Sequence, residues 1–192
     1  MSRGAKRIVL AGDIGGTKTL LQIAEFGDTP QPRVIQEERY ESHAYDDLTP
    51  MLREFLGAAP HHRPEAACFG VAGPVEVEGT AQRAKLTNLP WRLDSQALGE
   101  ALGTPARLIN DFQAIGYGIE ALGPDELETL HAAEPREGAP RVVLGAGTGL
   151  GVALLFPHGE YYEAYPTEGG HADFAPTDND QDALLEHLRG IH

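Results

Sequence analysis

The sequence carries a glycine-rich turn near its start whose residues are suited to binding phosphate. The turn consists of Gly12, Asp13, Ile14, Gly15, Gly16 and Thr17. Two adjacent glycines let backbone amides approach a polyphosphate without a Cβ in the way, Thr17 adds a hydroxyl donor, and Asp13 could hold Mg²⁺ directly or through water. The alternative is a tight hairpin turn that needs glycine for its backbone angles alone. No helix follows the glycines directly, so the turn is neither a Walker loop nor a dinucleotide-binding fingerprint.

A second glycine-rich turn runs from Gly145 to Gly151 and includes Gly147, Thr148 and Gly149. Each ordered glycine costs on the order of 0.5–1 kcal/mol relative to alanine. Because such a density of glycine is hard to explain by folding alone, phosphate binding is favoured over a purely structural turn. Two such turns on facing domains would clamp a nucleoside triphosphate between them.

An apolar strand that ends at Ile109 is followed by two polar residues, Asn110 and Asp111, where a helix begins. Ligands of open α/β sheets bind at this end of the strands. Capping of the helix by Asn110 or Asp111 is the simpler alternative, and it is favoured when this segment is taken by itself.

Glu168 and His171 lie three positions apart around a Gly-Gly step, so both side chains can turn toward one cleft. A carboxylate and an imidazole suit vicinal hydroxyl groups. The alternatives are a solvated loop or a metal pair, and a metal would need more ligands than the sequence offers. Asn88 and Trp91 belong to a proline turn that is either a core anchor or a sugar-contacting loop.

Two similar segments predict two related domains. In each, a short apolar strand (7–10 and 141–144) precedes the glycine turn and a second strand (19–26 and 152–156) follows it, as in a β-hairpin. We therefore predict an α/β protein with domains at residues 1–109 and 110–192. Further strands are predicted at 33–40, 66–72 and 107–109, a hairpin within 73–91, and helices at 46–56, 95–102 (capped by Asp94), 111–122 and 181–188.

Charge and composition limit the kinds of partner that the protein is expected to bind. The 192 residues carry a formal net charge of -14, which repels phosphodiester backbones, so no nucleic-acid partner is expected. No apolar run is as long as a membrane span and the first residues contain no signal-peptide core, so no membrane association is expected. The single cysteine, Cys68, excludes an internal disulfide, and the sequence is typical of a cytoplasmic protein.

Taken in order, the motifs GDIGGT, CFGVAGPV, LTNLPW, LINDF, GAGTGLG and EGGHADFAP resemble those of the bacterial glucokinases, within the superfamily of sugar kinases and actin-like ATPases. The resemblance covers nearly the whole chain. It implies a duplicated, ribonuclease-H-like α/β fold with a nearly complete first domain and a truncated second one. It also implies an enzyme that transfers the γ-phosphate of ATP, with Mg²⁺, to the 6-hydroxyl of glucose, and we expect a homodimer for the full-length protein.

The resemblance also implies roles for individual residues. Asp111 would be the general base toward the sugar 6-hydroxyl. Residues 12–17 would hold the ATP phosphates from the first domain, and Gly147, Thr148 and Gly149 would do so from the second. The glucose hydroxyls would be bound by Asn88, Asn110, Asp111, Glu168 and His171.

The sequence departs from the family in two places. Lys18 follows the first turn where a close relative has asparagine, and the chain ends at His192, whereas family members continue well beyond this point with a further sugar-binding glutamate and the adenosine-binding glycines. We therefore expect the chain as given to be inactive as a kinase. A kinase for another hexose or an amino sugar and a non-catalytic sugar-binding regulator stay open as alternatives. An actin-like assembly ATPase is disfavoured by the Glu168 and His171 pair.

Overall fold

A computed structural model describes residues 6–27, 31–86, 88–147 and 149–191. The strands in these ranges are β1 (Arg7–Ile14), β2 (Lys18–Phe26), β3 (Arg33–Glu41), β4 (Ala66–Val71), β5 (Val75–Glu78), β6 (Ala81–Lys85), β7 (Arg92–Asp94), β8 (Ala106–Asn110), β9 (Arg141–Ala146), β10 (Leu150–His158) and β11 (Tyr161–Thr167). The α-helices are α1 (Leu48–Gly57), α2 (Ser95–Leu102), α3 (Asp111–Ile119) and α4 (Asn179–Ile191), and 3₁₀ turns lie at Ser42–Ala44, Pro124–Glu126 and Gly169–His171.

The largest sheet has five strands in the order β3-β2-β1-β4-β8. Strands β1, β2 and β3 form an antiparallel meander, whereas β4 runs parallel to β1 and β8 runs parallel to β4. Ile14 pairs with Val71, and Val71 pairs with Asn110. The three parallel strands therefore end side by side, and the chain segments that follow them meet at one edge of the sheet.

One face of this sheet forms the main core. Alternate residues of β1 and β2, among them Leu10, Ile14 and Leu21, are fully buried there, as the two-residue period of a strand dictates. Helix α1 covers them with Phe55. Trp91 is 2% exposed, and its indole N–H donates to the Tyr45 carbonyl at 3.2 Å. Of the two roles considered for Trp91, the structure supports the core anchor.

Two of the predicted helices begin with the cap that their sequences favour. The Asp94 carboxylate accepts hydrogen bonds from the amides of Gln96 and Ala97 at the start of α2, which confirms the predicted cap. Asp47 accepts from the Leu48 amide at the start of α1. The predicted hairpin within 73–91 is confirmed as β5 paired with β6, and β7 adds a third strand to it.

The second half of the chain forms a separate antiparallel sheet in the order β11-β10-β9. Its inner face buries Ala153, Leu155 and Ala164 against α3. Gly116 of α3 lies so close to this sheet that a Cβ would approach that of Ala164 to 2.9 Å. Helix α3, which starts at the edge of the first sheet, therefore links the two sheets.

The sequence prediction and the structure differ in several elements, among them β7, which was not predicted, and α1, which begins at Leu48 and not at residue 46. Strand β11 was not predicted, because its Pro166 and the turn-like residues around it hide the alternating pattern. Helix α3 ends at Ile119 and not at residue 122, and α4 is longer than predicted. The division into domains at 1–109 and 110–192 stays a prediction. None of the helices in the described ranges has the length and apolar content that a membrane span requires.

Candidate active site

The turn between β1 and β2 is held tightly from two sides. The Gly15 amide donates to the Lys18 carbonyl at 3.0 Å, and a Cβ on Gly15 would lie 2.8 Å from that oxygen. A Cβ on Gly16 would lie 2.7 Å from the Cβ of Asn88. Both glycines are therefore required by close contacts, one within the turn and one with the loop that carries Asn88.

Two residues of the predicted phosphate turn face the protein interior. A Cβ on Gly12 would lie 2.6 Å from the Phe69 ring and 3.0 Å from Leu21, and Ile14 is fully buried. Core packing thus explains why Gly12 is glycine. Any contact of Gly12 or Ile14 with phosphate would have to come from the backbone, and it stays a prediction.

Asp13 and Asp111 lie close enough for their charges to interact. The pKa of Asp13 is raised above its ordinary value of 3.8, first because the surrounding protein desolvates the carboxylate and second because of the negative charge on Asp111. The side chain keeps some contact with solvent, so the carboxylate is accessible to an ion. Mg²⁺ is typically bound by one or two carboxylates together with substrate phosphates, and the place of Asp13 in such a site stays a prediction.

The start of α3 is organised by Asn110. Its side-chain oxygen accepts hydrogen bonds from the amides of Phe112 and Gln113 at 2.9 and 3.3 Å, and its side-chain nitrogen donates to the Gly73 carbonyl at 3.0 Å. The cap considered in the sequence analysis is therefore present and belongs to Asn110. Asp111 is half-buried at the first helical position, and its carboxylate shares this role, because it also accepts a hydrogen bond from the Phe112 amide at 2.8 Å.

The second glycine turn has a structural reason for part of its glycine content, which corrects the argument made from glycine density. A Cβ on Gly145 would lie 2.6 Å from the Phe112 ring, and one on Gly151 would lie 1.9 Å from it. These two glycines make room for the ring. The Gly147 amide donates to the Gly149 carbonyl at 2.9 Å, which closes the turn, whereas Thr148 lies outside the described residues.

The motifs meet in a cleft of about 440 Å³. Its walls come from five parts of the chain: the first glycine turn, the segment after β4, the loop between β6 and β7, the start of α3, and the second half of the chain. Among the residues that line this cleft are Gly16, Gly73, Asn88, Asp111, Gly149 and His171.

Glu168 and His171 do not both line the cleft, contrary to the expectation from the sequence. His171 lines the cleft, while Glu168 lines a neighbouring cavity of about 590 Å³ together with Asn110. The two side chains contact each other, with 3.1 Å between His171 Nδ1 and Glu168 Oε2, and both are 84% exposed. Gly170, which lies between them in the chain, is directly against β10, where a Cβ would approach the Leu150 carbonyl oxygen to 1.7 Å.

Sequence reasoning missed two residues next to the first turn. Thr19 and Ser42 are both fully buried, and their hydroxyl oxygens are 3.0 Å apart. A lone serine after a strand has no sequence signature that separates it from a surface loop. In the residues that the structure describes, no three or more His, Cys, Asp or Glu side chains gather as a metal centre. Burial raises the pKa of the Cys68 thiol, which makes it a poor nucleophile.

Comparison with known proteins gives one consistent result. The family model described as "Glucokinase" matches residues 10–192. A glucokinase of Nostoc sp. is 48% identical over 188 residues, which is 96% of this chain and 54% of the relative. A glucokinase of Escherichia coli is 34% identical, over 95% of this chain and 55% of the relative. The chain thus spans about half the length of the curated relatives it matches.

Solved structures of glucokinases resemble the fold of this chain. The crystal structure of a glucokinase from an Antarctic psychrotroph superimposes with a TM-score of 0.84 at 28% identity, over 97% of this chain and 57% of that one. A glucokinase from Balamuthia mandrillaris, solved in complex with glucose, superimposes with a TM-score of 0.64 at 23% identity. The second likeness concerns the fold alone. Together with the first, it identifies the mixed α/β architecture as that of the sugar kinases and actin-like ATPases.

Proposed function

The chain belongs to the glucokinase family, and from this premise we propose that the protein transfers the γ-phosphate of ATP to the 6-hydroxyl of glucose. One observation carries the proposal: the cleft brings Gly16 of the phosphate turn, the Asp111 carboxylate and His171 together. Phosphoryl transfer needs little covalent chemistry from the protein. It needs positioning, charge stabilisation and a group that orients the attacking hydroxyl.

Asp111 is the general base of this proposal. It lies in the wall of the cleft at the first turn of α3. The carboxylate would accept a hydrogen bond from the sugar 6-hydroxyl and orient the hydroxyl oxygen toward the γ-phosphorus of ATP. It would take the hydroxyl proton as the 6-oxygen bonds to that phosphorus and the bond from the phosphorus to the bridging oxygen breaks, which releases ADP. Since the transition state is loose, a weak base is sufficient.

The remaining polar residues would hold the two substrates. Asn88 and His171 lie on the cleft beside Asp111 and would bind sugar hydroxyls there, whereas Asn110 and Glu168 would reach the sugar from the neighbouring cavity. Gly16 and Thr17 would hold the phosphates through their backbone amides, whereas the Gly15 amide, expected from the sequence to do the same, is bonded to the Lys18 carbonyl. The turn that contains Gly147, Thr148 and Gly149 would contact the phosphates from the second domain. Asp13 would hold Mg²⁺, directly or through water, and the bound ion would neutralise phosphate charge.

A duplicated fold is the finer structural proposal. Strands β9, β10 and β11 form an antiparallel meander in the same neighbour order as β1, β2 and β3, and each meander has a glycine turn between its first two strands. In the first sheet, β4 continues the sheet beyond β1. The outer edge of β9 has no such neighbour within the described ranges, and we propose that this is the edge at which the second domain would be completed. The homodimer and the cytoplasmic location stay predictions.

A kinase for an amino sugar is the second candidate. The neighbouring cavity that Glu168 and Asn110 line has apolar walls that include Val75 and Pro166, and such a space would accommodate an N-acyl substituent on the sugar. The two candidates share the phosphate turn and Asp111, and they differ only in the sugar that fits.

The test is a substrate panel with direct product detection. The protein, in the full length that its gene encodes, is incubated with MgATP and each of glucose, mannose, fructose, glucosamine and N-acetylglucosamine, and products are followed by ³¹P NMR. A new phosphomonoester signal that is strongest with glucose and is assigned to the 6-position supports the proposal. Preference for an acylated sugar selects the second candidate, and sugar binding without any phosphate transfer would refute both in favour of a regulator.

A further inference from the structure

We propose that Ser42, assisted by Thr19, is a positioning residue for the nucleotide: it turns the carbonyls of the β1–β2 turn away from the cleft so that amide N–H groups face the phosphates. The inference rests on the proposed function. Nothing in the sequence motif points to Ser42, because it belongs to the 3₁₀ turn after β3 and lies outside the glycine-rich segment.

Ser42 holds the turn through two hydrogen bonds to its carbonyl groups. The Ser42 amide donates to the Thr17 carbonyl at 2.8 Å, and the Ser42 hydroxyl donates to the Gly15 carbonyl at 2.9 Å. The Ser42 hydroxyl has one proton, which is used in that second bond. The contact of 3.0 Å between the Thr19 and Ser42 hydroxyl oxygens therefore has Thr19 as its donor.

The three groups form a directed chain, from the Thr19 hydroxyl to the Ser42 hydroxyl to the Gly15 carbonyl. Thr19 and Ser42 are both 0% exposed, so no water competes for these bonds. In a low-dielectric setting each bond in such a chain polarises the next, and a missing partner leaves a buried polar group unsatisfied.

The geometry of the peptide bond carries this restraint to the cleft. The Gly15 carbonyl and the Gly16 amide belong to one planar trans peptide unit, so they point in opposite directions. Fixing the carbonyl toward Ser42 fixes the Gly16 N–H away from it, and Gly16 lies on the cleft. Within the ranges that the structure describes, the amides of Gly16 and Thr17 donate to no protein acceptor, so both are available to phosphate oxygens.

A merely structural role for Ser42 makes a different prediction. If the hydroxyl only satisfies a buried carbonyl, its removal lowers stability and leaves the affinity for each substrate unchanged. If it orients the turn, its removal allows the Gly15–Gly16 peptide to rotate. The affinity for the nucleotide then falls, while the affinity for the sugar is unchanged.

Ser95 provides a matched control. It is 3% exposed, and its hydroxyl accepts a hydrogen bond from the Gln82 amide at 2.9 Å, so Ser95→Ala also removes a buried hydroxyl with a backbone partner. Ser95 lies at the start of α2 and is not part of the cleft. Thr19 offers a second pair, because Thr19→Val removes the hydroxyl at nearly constant shape while Thr19→Ser keeps it.

The experiment measures steady-state kinetics and MgATP binding by calorimetry on the protein in the full length that its gene encodes. For Ser42→Ala we expect kcat/KM for ATP to fall about ten-fold, which corresponds to about 1.4 kcal/mol, with KM for glucose within about two-fold. Thr19→Val should also lower kcat/KM for ATP, by a smaller factor, and Thr19→Ser should resemble the unsubstituted protein. Ser95→Ala should lower the melting temperature and leave kcat/KM for ATP unchanged.

The two proposals fail separately. An unsubstituted protein that binds MgATP but forms no phosphorylated sugar refutes the proposed function, and the affinities of the variants for MgATP still decide the role of Ser42. The inference on Ser42 is overturned if Ser42→Ala and Thr19→Val bind MgATP as the unsubstituted protein does, if glucose affinity falls as much as nucleotide affinity, or if Ser95→Ala reproduces the effect. If Ser42→Ala does not fold, the comparison of Thr19→Val with Thr19→Ser decides.

Discussion

Replacing Gly151 with alanine tests the contact between the second glycine turn and α3. A Cβ at this position would lie 1.9 Å from two atoms of the Phe112 ring, far inside van der Waals contact. The ring has little freedom to give way, because Gly145 of the neighbouring strand also packs against it. Phe112 follows Asp111 directly, so a displaced ring moves the first turn of α3.

The cost follows from the geometry. Overpacking of a well-packed site costs about 1–3 kcal/mol, and we expect Gly151→Ala to lower the free energy of unfolding by an amount in this range. The matched control is Gly118→Ala on α3 itself, where a Cβ would meet nothing within 4 Å. Because alanine is favoured over glycine within a helix by about 0.5–1 kcal/mol, that control should be neutral or stabilising.

The assay is urea unfolding followed by far-UV circular dichroism, with kcat measured in parallel. A second substitution, Phe112→Leu, removes the ring atoms that the new Cβ would meet. The double variant with Gly151→Ala and Phe112→Leu should therefore be more stable than the sum of the two single effects predicts. Additive effects, or a Gly151→Ala variant as stable as Gly118→Ala, would show that Phe112 does not occupy the space above these two glycines.

Three further predictions concern the site. Asp13→Asn should raise the melting temperature at neutral pH without Mg²⁺. Because the pKa of Asp13 is raised in the folded protein, the contribution of this group to stability is fully present below the ordinary value of 3.8 and is lost as pH rises through the raised value. Over that pH window, the melting temperature of the unsubstituted protein should therefore fall more than that of the variant. Glu168→Gln should lower the affinity for glucose more than the affinity for ATP in calorimetric titration, because a charged acceptor of hydrogen bonds from the sugar hydroxyls is lost. An equal loss of affinity for both ligands would contradict a sugar-binding role. Gly16→Ala should cost more stability than Gly57→Ala, since the Cβ at Gly16 would lie 2.7 Å from that of Asn88 whereas the one at Gly57 would meet nothing within 4 Å, and comparable melting temperatures would contradict the contact with Asn88.

The elements of the first sheet could be predicted from the sequence because their signals are local. The apolar alternation of β1 and β2 and the carboxylate before α2 depend on neighbouring residues alone. Strand β11 could not be predicted, because its burial comes from pairing with β10 and packing against α3, neither of which leaves a regular pattern in a segment that contains Pro166.

The site was predictable as a set of motifs but not as an arrangement. The order of the parallel strands brings the turn after β1 and Asp111 after β8 to one edge, as an open α/β sheet requires. The close approach of Gly170 to β10 and the burial of Ser42 against Gly15 depend on contacts between distant segments of the chain. A glycine in the sequence does not reveal whether the space beside it holds a ligand, a ring or a neighbouring strand.

The central claim is that Asp111 acts as the base in the cleft, and Asp111→Asn tests it most directly. The control is Asp47→Asn, which changes the same group at the start of α1, where asparagine also caps a helix well. In the protein in the full length that its gene encodes, Asp111→Asn should lower kcat on the order of 10²-fold or more while the dissociation constant for glucose stays within a modest factor. Asp47→Asn should leave both nearly unchanged. Near-normal turnover by Asp111→Asn would contradict the account and leave Asp111 as part of the helix start alone.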